Sequence, residues 1–134
     1  MIEYESLIGI PCKDEGRTLE GLDCYGLVME VYRRFGIKLP EYWASFDDDE
    51  KVSEIIHEEI KKPIWKKVEG EPPVPSVLAI RLGVPKVIIN HAGVYIGDGK
   101  FIHCRAKTGV VVSRVDSPAW HKTIEGYYVY AGEE

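Results

Sequence analysis

Three side chains in this sequence carry the elements of thiol chemistry. They are Cys24 in "GLDCYGLVMEVYRRFGIKLP" (residues 21–40), and His91 and His103 in "HAGVYIGDGKFIHC". A cysteine nucleophile needs a base to take its proton, and the base needs a partner to orient it. Cys24 follows Asp23, a good helix N-cap, and is expected to be the first residue of a helix, beside unpaired backbone N–H groups. Their partial positive charge favours thiolate, so the thiol pKa is expected to fall. Taken alone, the position favours core packing, because Cys24 is in register with Leu27, Val28 and Val31.

The base must come from four histidines. His57 lies in a Glu-rich helical stretch and reads as solvated or half-buried, while His121 follows Trp120 in a loop-like stretch and reads as structural or surface. His91 and His103 fall on two strands joined by "GDG" at 97–99. Residues paired across a hairpin have a constant sum of numbers, and one face holds alternate residues. A two-residue loop makes the sum odd and sends the histidines to opposite faces. A three-residue loop with Gly99 left-handed makes it even. His103 then opposes Gly93, and His91 lies diagonally across on the same face, about 7 Å away. Gly93 leaves room beside both rings. Two histidines on one hairpin face, with a cysteine at a helix start, turn the balance toward chemistry.

The other cysteines, Cys12 and Cys104, complete neither a disulfide framework nor a zinc pattern, since the total is odd and no C-x-x-C occurs. No metal is expected. Asp23 reads as a cap rather than a catalyst. Arg17 and Tyr25 are candidate substrate contacts, set against a solvated arginine and a packing tyrosine.

These residues must be held by a recognisable set of elements. In the first helix Leu22 and Leu27 flank the cap as a hydrophobic staple, Leu27, Val28, Val31, Tyr32 and Phe35 form the apolar stripe, and Gly36 ends it. "FDDDEKVSEIIHEEIKK" (46–62) reads as a second helix, acidic at its start and basic at its end, with Val52, Ile55, Ile56 and Ile60 as its stripe. "EGEPPVPS" (69–76) reads as an extended, exposed connection. The runs "VLAIRL", "HAGVYIG", "KFIHCR", "GVVVSRV" and "YYVYA" then read as strands. Helices first and an antiparallel sheet after them make an α+β fold.

The totals narrow the classes. A chain of 134 residues suggests one domain, and a formal charge of −5 argues against non-specific nucleic-acid binding. No apolar run is long enough to span a bilayer. The start "MIEYESLIGIPCKDEG" lacks the basic and apolar regions of a secretory signal, so synthesis in the cytoplasm without its own export signal is expected.

"LDCYGLVMEVYRRFGIKLP" and "HAGVYIGDGKFIHC", in that order, resemble the NlpC/P60 family of papain-like cysteine peptidases, and the closing "IEGYYVY" is similar to that family's final strand. The resemblance spans nearly the whole chain, least clearly residues 41–75. It implies that residues 1–134 form a single catalytic domain with N-terminal helices packed on a central antiparallel sheet. By position Cys24 matches the nucleophile, His91 the general base and His103 the residue that orients it. The implied reaction hydrolyses amide bonds of peptidoglycan stem peptides through a thioester, commonly between γ-linked D-glutamate and a diamino acid, with no cofactor. The oxyanion would be met by the Cys24 N–H and one further donor.

Tyr25 after the cysteine, and the upstream "LIGIPCKDEGRT", are similar to members encoded by phages and prophages. That implies tail proteins as partners and delivery to the wall by a virion or by host lysis. Cys12 stands where many relatives carry a tyrosine that lines the active site, and by that position the resemblance implies a third candidate substrate contact. Cys104 replaces an alanine and is expected to face away from His103. Two other readings keep these residues: an amidase or transacylase using the same cysteine and histidine, and a tail-assembly module with a relic site.

Overall fold

The computed structural model describes residues 3–42, 48–81 and 89–132. Asp23 starts the first long helix, as its residue type predicts: α1 runs Cys24–Arg34, and Asp23 Oδ1 accepts the Gly26 N–H at 2.6 Å. Leu22 and Leu27, on either side of the cap, are both buried. Beyond the helix, Gly36 takes a left-handed φ of 83°. The second helix, α2, spans Asp49–Glu59, and the Asp48 side chain accepts the Lys51 N–H at 3.0 Å. Phe46 and Asp47, which open the predicted helical segment, lie outside the described residues, as does Leu82 at the end of "VLAIRL".

A short antiparallel pair, β1 (Arg17–Thr18) and β2 (Gly21–Leu22), leads into α1. Six further strands follow: β3 (Trp65–Val68), β4 (Ser76–Ile80), β5 (His91–Gly97), β6 (Lys100–Arg105), β7 (Gly109–Arg114) and β8 (Ile124–Tyr130). They form one antiparallel sheet in the order β3-β8-β4-β5-β6-β7. The expected helices-then-sheet organisation is present. β3 has no counterpart among the expected strands, because its two middle lysines weaken the apolar signal. The strand is held by pairing with β8 and by the Trp65 indole N–H, which donates to Glu59 at 2.7 Å.

The sheet has a core on each face. Leu27, Val28 and Val31 of α1 pack against Ala92, Val94 and Ile102 on one side. Each large apolar side chain there contributes roughly 1.5–3 kcal/mol when fully buried. On the other side Leu78, Ile80, Tyr95, Phe101 and Trp120 form a second cluster. Alternation along β5 and β6 therefore decides the placement of the site. Even-numbered residues face α1, and odd-numbered ones, His91 and His103 included, face the second cluster.

The hairpin reaches the even sum by an unanticipated route. Gly93 pairs with His103, Val94 with Ile102 and Tyr95 with Phe101, but Gly97 pairs with Lys100 across an irregularity. A tight turn at Asp98–Gly99 is thus combined with a bulge, which restores the parity of a three-residue loop. Gly97, Asp98 and Gly99 all have positive φ (99°, 54° and 72°), which explains two glycines and an aspartate at these positions.

Candidate active site

Asp23 does three things at the start of α1. It caps the helix, it accepts from Arg17 Nη1 at 2.7 Å, and it places a carboxylate beside Cys24. Arg17 also donates to Glu41 Oε1 at 2.6 Å and to the carbonyls of Gly16 and Tyr42. Its guanidinium lies 5.7 Å from the centre of the Tyr25 ring. Arg17 is therefore a clamp that ties the β1 segment and residues 41–42 to the helix start, and it also borders the cleft that contains Cys24.

Cys24 is half-buried at the floor of that cleft. One wall is Tyr25 with Tyr42, ring centres 5.8 Å apart, and the Tyr25 hydroxyl donates to the Pro40 carbonyl. Another wall is formed by Val52, Ile55 and Ile56 of α2. Asn90 and Ala92 of the segment around His91 close the end. Ser53 secures that wall, because its hydroxyl accepts the Ile89 N–H at 3.0 Å.

His91 begins β5, and its Nε2 lies 2.9 Å from His103 Nδ1. The diagonal pair predicted from hairpin parity is thus in hydrogen-bond contact. His103 is 0% exposed and its Nε2 lies 2.9 Å from Ser113 Oγ on β7. Trp120 covers both rings, lying edge-on to His103 with ring centres 4.7 Å apart and nearly parallel to His91 at 6.3 Å. Phe101 closes the remaining side of His103 at 4.5 Å. The Arg105 guanidinium sits 5.2 Å from the Trp120 ring centre.

The electrostatics differ from the expectation for a helix-start cysteine. Burial, and then the Asp23 carboxylate, push the Cys24 thiol up to about 12, although backbone hydrogen bonds from Ala92 and Tyr25 favour the thiolate. Enclosure by protein outweighs the helix terminus. Burial and the Arg105 charge hold His91 down to about 4. Burial, the neighbouring His91 and Arg105 hold His103 down to about 3. At neutral pH the site therefore rests as a thiol and two neutral imidazoles.

Since His91 Nε2 is committed to His103, Nδ1 is the nitrogen left to act as base. The sulfur lies against the backbone of Ala92, the residue after His91, at the end of β5 where the pairing with β6 has stopped.

Cys104 faces away from His103, as expected. Its thiol donates to the Leu22 carbonyl at 3.0 Å within the core under α1. Cys12 bridges to Leu22 and sits against the Cys104 side chain. All three cysteines are free thiols. His57 is half-buried on α2, its Nδ1 2.9 Å from the Ser53 carbonyl, and His121 is exposed. Among the described residues no group of three His, Cys, Asp or Glu side chains is arranged to hold a metal ion.

Trp120 and Ser113 are additions that the sequence reading lacks. Trp120 sits in a turn with no periodic pattern. Ser113 is within reach of the parity argument used for the first hairpin, because Arg105 pairs with Gly109 and the sum is even again.

The model of the NlpC/P60 family matches residues 13–129. The chain is 25% identical over 123 residues to the murein DD-endopeptidase MepS/murein LD-carboxypeptidase of Escherichia coli K12, covering 91% of this chain and 56% of that protein. It is 29% identical over 130 residues to the gamma-DL-glutamyl hydrolase of Bacillus subtilis 168, covering 92% of this chain and 27% of that one. Thus the chain spans about half or less of the curated relatives it matches. The crystal structure of an NlpC/P60 family protein from Bacillus cereus superposes with a TM-score of 0.68 at 23% identity, over 94% of this chain and 37% of that one.

Proposed function

Because the chain belongs to the NlpC/P60 family, we propose that it is a cysteine-type hydrolase that cleaves amide bonds in peptidoglycan stem peptides, with Cys24, His91 and His103 as its catalytic set. The observation that carries this reading is the 2.9 Å contact between His91 Nε2 and His103 Nδ1, with the sulfur of Cys24 against the adjoining backbone.

Given a resting thiol, proton transfer accompanies attack. As Cys24 Sγ bonds to the substrate carbonyl carbon, its proton passes to His91 Nδ1. His103 Nδ1 holds the imidazolium by accepting its Nε2–H, and the backbone N–H of Cys24 meets the oxyanion. His91 then gives the proton to the leaving amine, and water activated by His91 hydrolyses the thioester.

The substrate class is supported by the murein and γ-glutamyl hydrolases among the relatives. The bond between γ-linked D-glutamate and a diamino acid is the finer reading, supported by the motif resemblance. Tyr25, Arg17 and Cys12 are placed as follows in this reading. Tyr25 forms a wall of the substrate cleft, Arg17 holds that wall, and Cys12, packed against Cys104, is the third candidate substrate contact. The whole chain acts as one catalytic domain. Association with phage tail proteins rests on Tyr25 and "LIGIPCKDEGRT" alone. No helix among the described residues is long and apolar enough to cross a membrane.

Digestion of purified peptidoglycan and of defined stem peptides, read by fragment mass, tests the substrate. Fragments cut within the stem peptide are expected, and their masses name the bond. Intact stem peptides beside a Cys24 that still reacts with iodoacetamide would overturn the substrate and point to the amidase or transacylase reading.

A further inference from the structure

His91 can take a proton on Nδ1 only when its own proton sits on Nε2. That proton must then point at His103 Nδ1, 2.9 Å away, which has to be a bare acceptor. His103 in turn must carry its proton on Nε2, facing Ser113 Oγ at 2.9 Å. A hydroxyl can donate or accept. If Ser113 donates, every bond in the chain reverses. His103 Nδ1–H then donates to His91 Nε2, and the His91 proton moves to Nδ1, where the base must be bare.

We propose that Ser113 is a positioning residue that sets the direction of the hydrogen-bond chain Ser113–His103–His91 by accepting from His103 Nε2, so that His91 presents an unprotonated Nδ1 to Cys24. The proposal rests on the reading of Cys24 and His91 as nucleophile and base. Three observations support it. His103 is fully buried between Phe101 and Trp120, so the position of its proton is decided by the two groups at its nitrogens. Both rings are kept neutral by burial and by Arg105, so a doubly protonated His103, indifferent to direction, is disfavoured. Ser113 is half-buried, which lets its own O–H turn outward while a lone pair faces His103. The two Nε2 protons of the chain stay in place throughout the reaction. The proton taken from Cys24 stays on His91 Nδ1 until the leaving amine receives it.

Ser113→Thr and Ser113→Val separate the hydroxyl from side-chain volume, because the two replacements are nearly isosteric and both suit a strand. Long-range ¹H–¹⁵N NMR of the histidine rings reads the tautomers directly, without turnover, and kcat and KM on stem peptide read the consequence. Wild type and Ser113→Thr are expected to carry Nε2–H on both histidines and to share kcat. In Ser113→Val the His91 population is expected to shift toward Nδ1–H, with kcat down at least ~10-fold and KM unchanged, as a wrong tautomer of a catalytic histidine predicts. Equal tautomers and equal kcat in the two variants would overturn the proposal, and so would equal impairment of both. Failure of the underlying reading is distinguishable, since His91→Ala would then keep activity whatever the tautomers show.

Discussion

Gly93 stands directly across from His103 in the β5–β6 ladder, and a Cβ at position 93 would lie 2.9 Å from the Ile102 carbonyl oxygen and 3.1 Å from the Cβ of His103. The same atom would lie 3.1 Å from the Phe101 ring. The missing side chain is the space in which the two imidazoles meet. Gly93→Ala is therefore expected to destabilise the fold by about 1–3 kcal/mol, the usual range for overpacking. It should also lower activity more than a surface substitution of similar cost, by displacing His103 from His91. Urea unfolding paired with kcat measurements checks both, and an alanine variant of wild-type stability and activity would contradict the packing argument.

The depressed His91 and the raised Cys24 thiol set the pH profile. The base must be neutral, so kcat/KM is expected to rise with pH through about 4, where His91 titrates, and to stay level through neutrality. The thiol, held up to about 12, places no further limb in the ordinary range. An acid limb near the ordinary histidine value would contradict the depression of His91 by burial, and an added alkaline limb just above neutrality would mean that the resting site is already a thiolate–imidazolium pair.

The same two histidines make the fold acid-sensitive. In the unfolded chain both titrate near 6.5, and in the folded chain near 4 and 3. Between those values the unfolded state binds protons that the folded state does not, so their contribution is fully present above 6.5 and is lost as pH falls through that window. Thermal unfolding followed from about pH 6.5 down to about pH 4.5 should show a falling Tm, with a shallower slope in His103→Gln. Parallel slopes in the two proteins would contradict the assignment of the neutral pair.

Asp23 caps α1 but also raises the Cys24 thiol pKa, and an asparagine at this position separates the two roles. Its amide oxygen can still accept the Gly26 N–H, while the charge beside the sulfur is gone. Asp23→Asn is expected to react several-fold faster with iodoacetamide at about pH 8, since each unit of thiol pKa is worth about tenfold in thiolate. Loss of the Arg17 pair should lower stability at the same time. An unchanged alkylation rate would remove Asp23 from the electrostatics of the site.

The legibility of this site in the sequence follows the range of each signal. Asp23 and the stripe of α1 are local, and capping and periodicity place Cys24 at the first helical residue. His91 and His103 are well separated in the chain, yet parity reaches their contact because a hairpin is still a local object. The bulge at Gly97 carries no signal of its own, but it preserves the even sum. Ser113 needs the same argument carried one strand further. Trp120 has no such route, because a turn residue shows its partner only when the sheet is assembled. The expected fall of the Cys24 thiol fails for a related reason: the helix terminus is visible in sequence, whereas the enclosing wall of Val52, Ile55 and Ile56 is a property of the packed fold.

Cys24→Ala against wild type, under identical conditions on a stem peptide that wild type cleaves, asks whether this sulfur carries the reaction. Removal of the nucleophile should lower kcat/KM by ~10³-fold or more while the variant folds normally. A Cys24→Ala protein that still cleaves at near the wild-type rate would show that Cys24 is a packing residue and that the hydrolysis proceeds elsewhere.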